Sequence, residues 1–436
     1  MDIFARYYPS LKWLKWPALA VFGLAVGFAI GFLSNDPGMI RLLVASALLL
    51  PLLVLSQRKP EAALLLMLLY LPFMSLIRRL LIPVAGWSGL DPLLLVAPVT
   101  VLLFFANWLY RHYLQREPIR DDTFLFKCVR WMLLVDFLQI FNPLQGSILT
   151  GIAGVIYWIV PVCFMIISRE FVDEKLLKRI FGIVFVIGIL VAAYGFKQFL
   201  FGFAYFEELW IELSGYTALM VYSVLRPIST FASGAEYGHY LGVAIIIGWV
   251  YVLRGSNALK LPALAGVIFM YINLFIESAR GIIVTVTLGM LVITILNART
   301  LWKRLLTACA AFGVLALLFA GMGKLNTDND LIYHSVEGLT DPFGENSTAV
   351  GHIHLMGRGF LLGFSNPIGH GLGSTTIAGS KFSGQAFGSE VDLSNKFIAT
   401  GIAGGLLYFL IIVSVLQQAF RKANSGEPVY LVILGV

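Results

Sequence analysis

Apolar runs of membrane length constrain the fold of this chain more than any other feature of its sequence. They recur from Trp16 onward, and each holds roughly 17 to 22 residues, the length that a helix needs to cross a bilayer. The composition agrees, because 59% of the 436 residues are hydrophobic and only 13% are charged, whereas soluble domains carry about 25% charged residues. The predicted spans are 17–33, 39–56, 61–77, 92–109, 124–141, 150–168, 180–198, 238–253, 262–277, 282–297, 305–321 and 397–416.

These runs predict an all-α fold, a polytopic transmembrane helical bundle of about 12 spans. We expect one integral membrane domain over residues 1–436 and no soluble domain. Because Trp16–Leu33 lacks a small-residue cleavage site and leads straight into further spans, no cleavable signal peptide is expected. The apolar tail 428–436 is too short to span, and we expect it to be either clipped or interfacial.

The positions of lysine and arginine predict how the bundle is oriented. Most of the 31 basic residues lie in alternate loops, as they do when those loops face the cytoplasm. This pattern places the N-terminus in the cytoplasm and the long segment 322–396 outside. It also accounts for most of the net charge of +7, so no nucleic-acid partner is required.

The segment 322–396 is the longest stretch without a membrane-length apolar run, and we expect chemistry there. It contains Arg358 between two glycines, then the run 366–373 (NPIGHGLG) with His370, and finally Glu390 and Asp392. A chain of apolar helices does not need such a segment to stay in a bilayer. The sequence predicts a large external loop that is ordered over the membrane.

Several arginines oppose the topology rule, which makes them candidates for binding an anion. Arg78 and Arg79 follow the third predicted span, Arg226 precedes a span, and Arg280 lies between two spans. Glu277 stands three residues before Arg280 and could neutralise it as a helical i, i+3 pair, so a structural pair and a functional cation both stay open. Arginine presents a planar fork of donors that suits phosphate oxygens.

We therefore expect Arg226 and Arg280 to bind a diphosphate at the outer leaflet. For Arg78 and Arg79, phosphate binding and snorkelling to lipid head groups are equal alternatives. Glu236 opens a span close to Arg226, where it serves as a helix cap or lines the site.

Other polar residues have a structural explanation beside a functional one. Asp136 lies in an apolar span with Gln139, and we expect it to make helix–helix hydrogen bonds. His370 stands in a glycine turn, either as a structural residue or as part of a binding site. The pair His352 and His354 has the spacing of one strand face, and no metal site is predicted from it.

Three short blocks in the second half of the chain together resemble a known family. They are residues 226–241 (RPISTFASGAEYGHYL), residues 277–281 (ESARG), and the loop from Arg358 through 366–373 to 401–404 (GIAG). In this order, and with this topology, they resemble the O-antigen ligase and polymerase superfamily of bacterial envelope glycosyltransferases. The blocks cover about residues 226–410, and the N-terminal half is similar only in hydropathy, with Asp91 opening a span.

The resemblance implies a bundle similar to the C-type glycosyltransferase fold and a metal-independent enzyme without cofactors. Such an enzyme uses polyprenyl-diphosphate-linked oligosaccharides as donor and acceptor at the outer face of the bacterial inner membrane. Membrane lipids, a chain-length regulator and a flippase are the further partners that it implies. Arg226 and Arg280 would stabilise the diphosphate leaving group, and Arg358, His370, Glu236, Arg78, Arg79 and Asp392 would bind substrate.

One departure from the family pattern decides between its branches. The ligase branch keeps a histidine about ten residues before the Gly-x-x-Gly, and this chain has Glu390 there. A carboxylate could act as general base on an acceptor hydroxyl, so Glu390 is the predicted acid–base residue, with a helix-cap role as the alternative. The sequence therefore favours a polymerase of lipid-linked repeat units over a ligase. A transporter is the third alternative, although the site-like residues cluster in one half of the chain.

Overall fold

The computed structural model describes residues 37–89, 91–119, 123–215, 220–221, 224–298, 300–322, 329–341, 343–344, 349–384, 387–389, 391–423 and 427–436. These residues are almost entirely helical, which confirms the all-α prediction. Nine helical segments among them are long and apolar enough to cross a membrane. The predicted span 17–33 and the predicted acid–base residue Glu390 lie outside the described residues.

The first half of the chain contributes nine helices. They are α1 (Pro37–Arg58), α2 (Pro60–Tyr70), α3 (Met74–Leu80), α4 (Ile82–Ala85), α5 (Val96–Leu109), α6 (Phe124–Gln139), α7 (Ile148–Phe171), α8 (Glu174–Phe201) and α9 (Tyr205–Ser214). Short 3-10 turns at Leu71–Phe73, Pro92–Leu95 and Pro143–Gln145 join some of them, and a π-helical turn, Tyr110–Leu114, extends α5.

The second half begins with a two-stranded antiparallel hairpin and continues with nine helices. The strands are β1 (Met220–Val221) and β2 (Val224–Leu225), with Met220 opposite Leu225. The helices are α10 (Gly234–Arg254), α11 (Asn257–Glu277), α12 (Arg280–Asn297), α13 (Leu301–Met322), α14 (Asp330–Thr340), α15 (Ala349–Ser365), α16 (Ile377–Ser383), α17 (Asp392–Ala423) and α18 (Pro428–Gly435).

Side-chain caps explain where several of the long helices begin. The side chains of Ser147, Asp173 and Ser233 accept hydrogen bonds from the first-turn amides of α7, α8 and α10, respectively. Each cap satisfies a backbone donor that has no partner within its helix. The spans therefore start at polar residues that flank the apolar runs.

Two large apolar clusters form most of the core of the described residues, beside a third, smaller one. One joins α1, α2, α5, α6 and α7, and the other joins α8, α10, α11, α12 and α18. Helix α17 contacts both clusters, through Ile411 in the first and Ala423 in the second. The tail helix α18 buries Leu431 and Val432 in the second cluster.

The predicted external segment 322–396 contains three helices, α14, α15 and α16, in its described part. His352 and His354 both lie on the helix α15, where residues two apart do not share a face. Helix α14 packs against α11, α12 and α13, whereas α15 packs against α17. Within this segment, α14 therefore covers the second cluster and α15 covers α17.

Candidate functional site

The segment 226–233, which carries Arg226, is held in place by a buried amide. Oε1 of Gln198 accepts hydrogen bonds from the backbone amides of Ile228 at 3.0 Å and Ser229 at 2.7 Å. The Thr230 hydroxyl donates to the carbonyl oxygen of Pro72 at 2.6 Å. These contacts keep Ser229 in a left-handed conformation, φ +50°, which costs a non-glycine residue about 1–3 kcal/mol. The backbone beside Arg226 is therefore rigidly set.

Arg226 lies beside a buried carboxylate that comes from a different helix. Its Nη1 is 3.8 Å from Oε1 of Glu277, the last residue of α11. The Arg226 side chain is 23% exposed and the Glu277 side chain is fully buried. Nε of Arg226 and Oε1 of Glu277 are both buried and make no hydrogen bond with the described residues. Such unsatisfied polar atoms are rare in folded proteins and call for a partner.

The Glu277 carboxylate stands where two helices begin. Its Oε2 accepts a hydrogen bond from the backbone amide of Ala279 at 3.0 Å, immediately before α12. A Cβ atom at Gly234, in the first turn of α10, would stand 2.4 Å from Oε1, so only glycine leaves room for the carboxylate there. Helix N-termini favour negative charge. The site thus combines arginine side chains with helix ends that suit an anion.

Arg280, the first residue of α12, lies against α14. A Cβ atom at Gly338 would stand 1.9 Å from Nη1 and 2.1 Å from Cδ of Arg280, so the arginine side chain packs directly on this glycine. The hydroxyl of Ser335 holds α14 in place by donating to the carbonyl oxygen of Phe275 at 2.9 Å and lying 2.9 Å from the Ser278 hydroxyl. Helix α14 therefore covers the turn between α11 and α12.

His334 belongs to the same site, although the sequence did not predict it as a site residue. It precedes Gly338 by four residues, which places both on one face of α14. Burial and the positive charges of Arg280 and Arg226 lower the pKa of His334 to about 4, so its imidazole is neutral at pH 7. We call Arg226, Glu277, Arg280 and His334 the arginine site.

Arg78 and Arg79 are buried in ion pairs, so snorkelling to the membrane surface is excluded for them. Nε of Arg78 is 3.1 Å from Asp91, which also pairs with Arg41. Nη1 of Arg79 is 3.7 Å from Glu207, with both side chains fully buried. Arg79 also donates to the carbonyl oxygen of Ser229 at 2.5 Å and so supports the segment that carries Arg226.

The remaining predicted residues lie apart from the arginine site or cap a helix. Oε2 of Glu236 accepts from the backbone amide of Ala232 at 3.2 Å in the first turn of α10, which is the capping alternative. Arg358 is exposed on α15, and Asp392 is exposed in the first turn of α17. Gly359, next to Arg358, packs against Ser389. Arg358 therefore lies close to the segment that precedes α17.

His370 lies in a loop that seats on a break in α17. Gly401 interrupts this helix with φ +67°, and a side chain there would meet the carbonyl oxygen of Pro367 at 2.1 Å. The His370 amide donates to the carbonyl oxygen of Ile398 at 2.8 Å, and the Ile402 amide donates to Pro367 at 3.1 Å. These bonds satisfy backbone groups that the break leaves without helical partners.

The His370 ring stacks on Phe387 at a centroid distance of 4.5 Å. Burial lowers the pKa of His370, which favours its neutral form.

Asp136 makes a helix–helix contact, as predicted, although its partner, Lys396, was not predicted. Its Oδ1 is 2.5 Å from Nζ of Lys396 on α17, and both side chains are fully buried. The Lys396 ammonium also lies 4.5 Å from the ring centroid of Trp158. Nε2 of Gln139 donates instead to the carbonyl oxygen of Ile368 at 2.8 Å, in the loop that carries His370.

No family model, no curated protein and no solved structure matches this chain.

Proposed function

We propose that this chain is a membrane glycosyltransferase that polymerises polyprenyl-diphosphate-linked oligosaccharide repeat units on the outer face of a bacterial inner membrane. The arginine site would hold the diphosphate of the donor. The proposal rests on the resemblance of three sequence blocks together with the geometry at Arg226 and Glu277.

One observation carries the proposal. The buried Nε of Arg226 lacks a hydrogen-bond partner among the described residues, in the same site as Arg280 and His334. A diphosphate oxygen would accept from Nε and from the rest of the guanidinium fork. Arg226 is 23% exposed, so a ligand can reach it without unfolding the site.

The chemistry follows from where charge develops. In the proposed step, an acceptor hydroxyl oxygen attacks the anomeric carbon of the donor, a new glycosidic bond forms, and the bond from that carbon to the diphosphate oxygen breaks. The diphosphate leaves with the electron pair, and the hydroxyl proton passes to a general base. Arg226 and Arg280, already fixed in place, would stabilise the negative charge that builds on the leaving diphosphate.

Two residues are candidates for deprotonating or positioning the acceptor hydroxyl. Glu390 stays the predicted base on the sequence argument, since it lies outside the described residues. His334 stands within the arginine site, and its imidazole is neutral at pH 7. We assign His334 a positioning role because its low pKa makes it a weak base.

One specific observation favours a second function. Helix α17 is broken at Gly401, close in sequence to the buried pair of Lys396 with Asp136. Transporters build their binding sites at broken spans and pair buried charges there. A transporter of lipid-linked oligosaccharides is therefore the alternative, and transfer of the glycan to a lipid or protein acceptor by a ligase is the other.

A reconstituted reaction separates these functions. Purified protein in vesicles is supplied with a defined lipid-linked repeat unit, and the products are separated on a gel. A ladder of products identifies a polymerase, whereas one addition to a different acceptor identifies a ligase. Movement of intact lipid across the vesicle without a new glycosidic bond identifies a transporter.

Variants test whether the arginine site performs the reaction. Arg226→Ala and Arg280→Ala should each slow ladder formation by roughly 10- to 150-fold, because each removes charge-assisted donors to the diphosphate. Arg421→Ala removes an exposed positive charge at the last turn of α17 and serves as the matched control. Ladder formation at the wild-type rate by both site variants, with the protein folded, would refute the proposed diphosphate site.

A further inference from the structure

A polar cavity lies at the opposite end of the spans from the arginine site. Its volume is about 530 Å³, and the ends of α1, α5 and α7 form its walls. The wall side chains that matter here are Phe104, Trp108, Arg111, Glu170 and Phe171. The basic loop residues Arg58 and Lys59 lie at the same end, where α1 gives way to α2. The cavity thus opens where spans meet the polar region of the membrane.

The cavity holds a carboxylate with an uncommitted oxygen. Oε1 of Glu170 accepts a hydrogen bond from Nε1 of Trp108 at 3.2 Å and lies 3.2 Å from Nε2 of His112. Oε2 accepts no hydrogen bond from the described residues, and the side chain is 24% exposed. The other ring nitrogen of His112 lies 3.0 Å from the carbonyl oxygen of Glu117, which fixes the ring. One oxygen of Glu170 is therefore available to a cationic ligand.

Aromatic rings stand beside this carboxylate. Phe104 and Phe171 stack with a centroid distance of 5.8 Å, and both line the cavity together with Trp108. The face of an aromatic ring attracts ammonium groups through its quadrupole. An ammonium group that approached Glu170 would therefore meet aromatic rings as well as a negative charge.

A guanidinium stands at the same cavity. Nη2 of Arg111 is 2.6 Å from Glu117, and both side chains are partly exposed, by 42% and 38%. This hydrogen bond lowers the pKa of Glu117, which keeps its carboxylate charged. Arg111 belongs to the π-helical turn Tyr110–Leu114, a distortion that recurs at functional sites. Arginine at a membrane boundary suits a phosphate group.

We propose that this cavity binds the head group of an ethanolamine phospholipid. The ammonium would contact Glu170 and the aromatic rings, and the phosphate would contact Arg111. A purely anionic head group fits less well, because two carboxylates, Glu117 and Glu170, line the cavity together with Arg111 and the imidazole of His112. We propose a phospholipid and not a soluble phosphoethanolamine as the ligand, since the cavity lies at the ends of membrane spans. This site is independent of the proposed glycosyltransferase activity.

Thermal unfolding of the purified full chain in detergent tests the proposal. Short-chain phosphatidylethanolamine should raise the melting temperature by about 2–5 °C more than phosphatidylglycerol of the same chain length. Glu170→Gln keeps the acceptor for Trp108 but loses the charge, so it should abolish the difference between the two lipids. Phe171→Leu, which keeps apolar volume but removes a ring, should at least halve that difference.

Controls make each outcome decisive. Lys178→Ala removes an exposed charge from the same end of the molecule, outside the cavity, and should respond as the wild type does. Because the readout compares two lipids on one protein, a destabilised variant still reports. Equal shifts with both lipids in the wild type, or an undiminished difference in Glu170→Gln, would overturn the proposal. A full shift with soluble phosphoethanolamine alone would overturn the assignment to a lipid.

Discussion

Gly338→Ala should separate the function of the arginine site from its stability. The new methyl group would stand 1.9 Å from Nη1 and 2.6 Å from Cζ of Arg280. No such contact is tolerated, and the flexible arginine side chain can yield more easily than the backbone of α14. We therefore expect Arg280 to leave its position while the helix stays. Alanine also favours a helix over glycine by about 0.5–1 kcal/mol, so stability should hold or rise.

The expected loss of activity follows from the bond that Arg280 would no longer make. A hydrogen bond to a charged group contributes about 1.5–3 kcal/mol, which corresponds to roughly 10- to 150-fold in the rate of ladder formation. Melting temperature and rate are measured on the same preparation. The control is Gly351→Ala on α15, where an added Cβ meets nothing within 4 Å.

Two results would refute this reasoning. Wild-type rates in Gly338→Ala would mean that the position of Arg280 does not matter for turnover. A melting temperature that falls together with the rate would mean that α14 moved instead of the arginine side chain.

Four further predictions follow. Arg226→Lys keeps the charge but loses the fork, and it should slow polymerisation roughly 10- to 100-fold at normal expression. Glu390→Gln should make unpolymerised lipid-linked units accumulate, whereas wild-type polymer would leave only a capping role. Lys396→Met should cost about 3–5 kcal/mol because it leaves the buried Asp136 charge alone; the double variant with Asp136→Leu should recover much of this in thermal unfolding. The fourth concerns His334, whose pKa is about 4 in the fold and 6.5 without it, so the unfolded chain binds more protons between these values. Stability should fall as pH drops from 6.5 to 4, and His334→Gln should flatten this part of the unfolding profile.

The spans could be predicted because a bilayer sets the length and polarity of a helix. Span 397–416 of the prediction corresponds to α17, yet its break at Gly401 was not foreseen. That break depends on the close approach of Pro367, a contact from a distant loop. The local composition does not predict such a contact, because glycine is also common in unbroken membrane helices.

The partners of charged residues could be predicted least. Glu277 and Arg280 are three apart, which suggested a helical pair, but Ser278 is left-handed at φ +68° and ends α11. The two residues therefore belong to different helices, and Glu277 pairs with Arg226 instead. His334 was not predicted as a site residue because its segment was interpreted as part of a loop. The segment forms the amphipathic helix α14.

Burial distinguishes the charges that hold this fold together from those that can bind a ligand. Arg79 and Lys396 are fully buried against Glu207 and Asp136, so reaching them would require breaking the bundle. Arg79 also has buried nitrogens without hydrogen bonds, but its side chain is fully buried. Arg226 is 23% exposed, so an anion can reach it and complete the hydrogen bonds of its Nε. All of these residues follow the same sequence pattern, a charge within an apolar chain. The difference between them lies in how deeply each is buried, and for this reason charge reversal of a deep pair should affect folding and substitution of Arg226 should affect turnover.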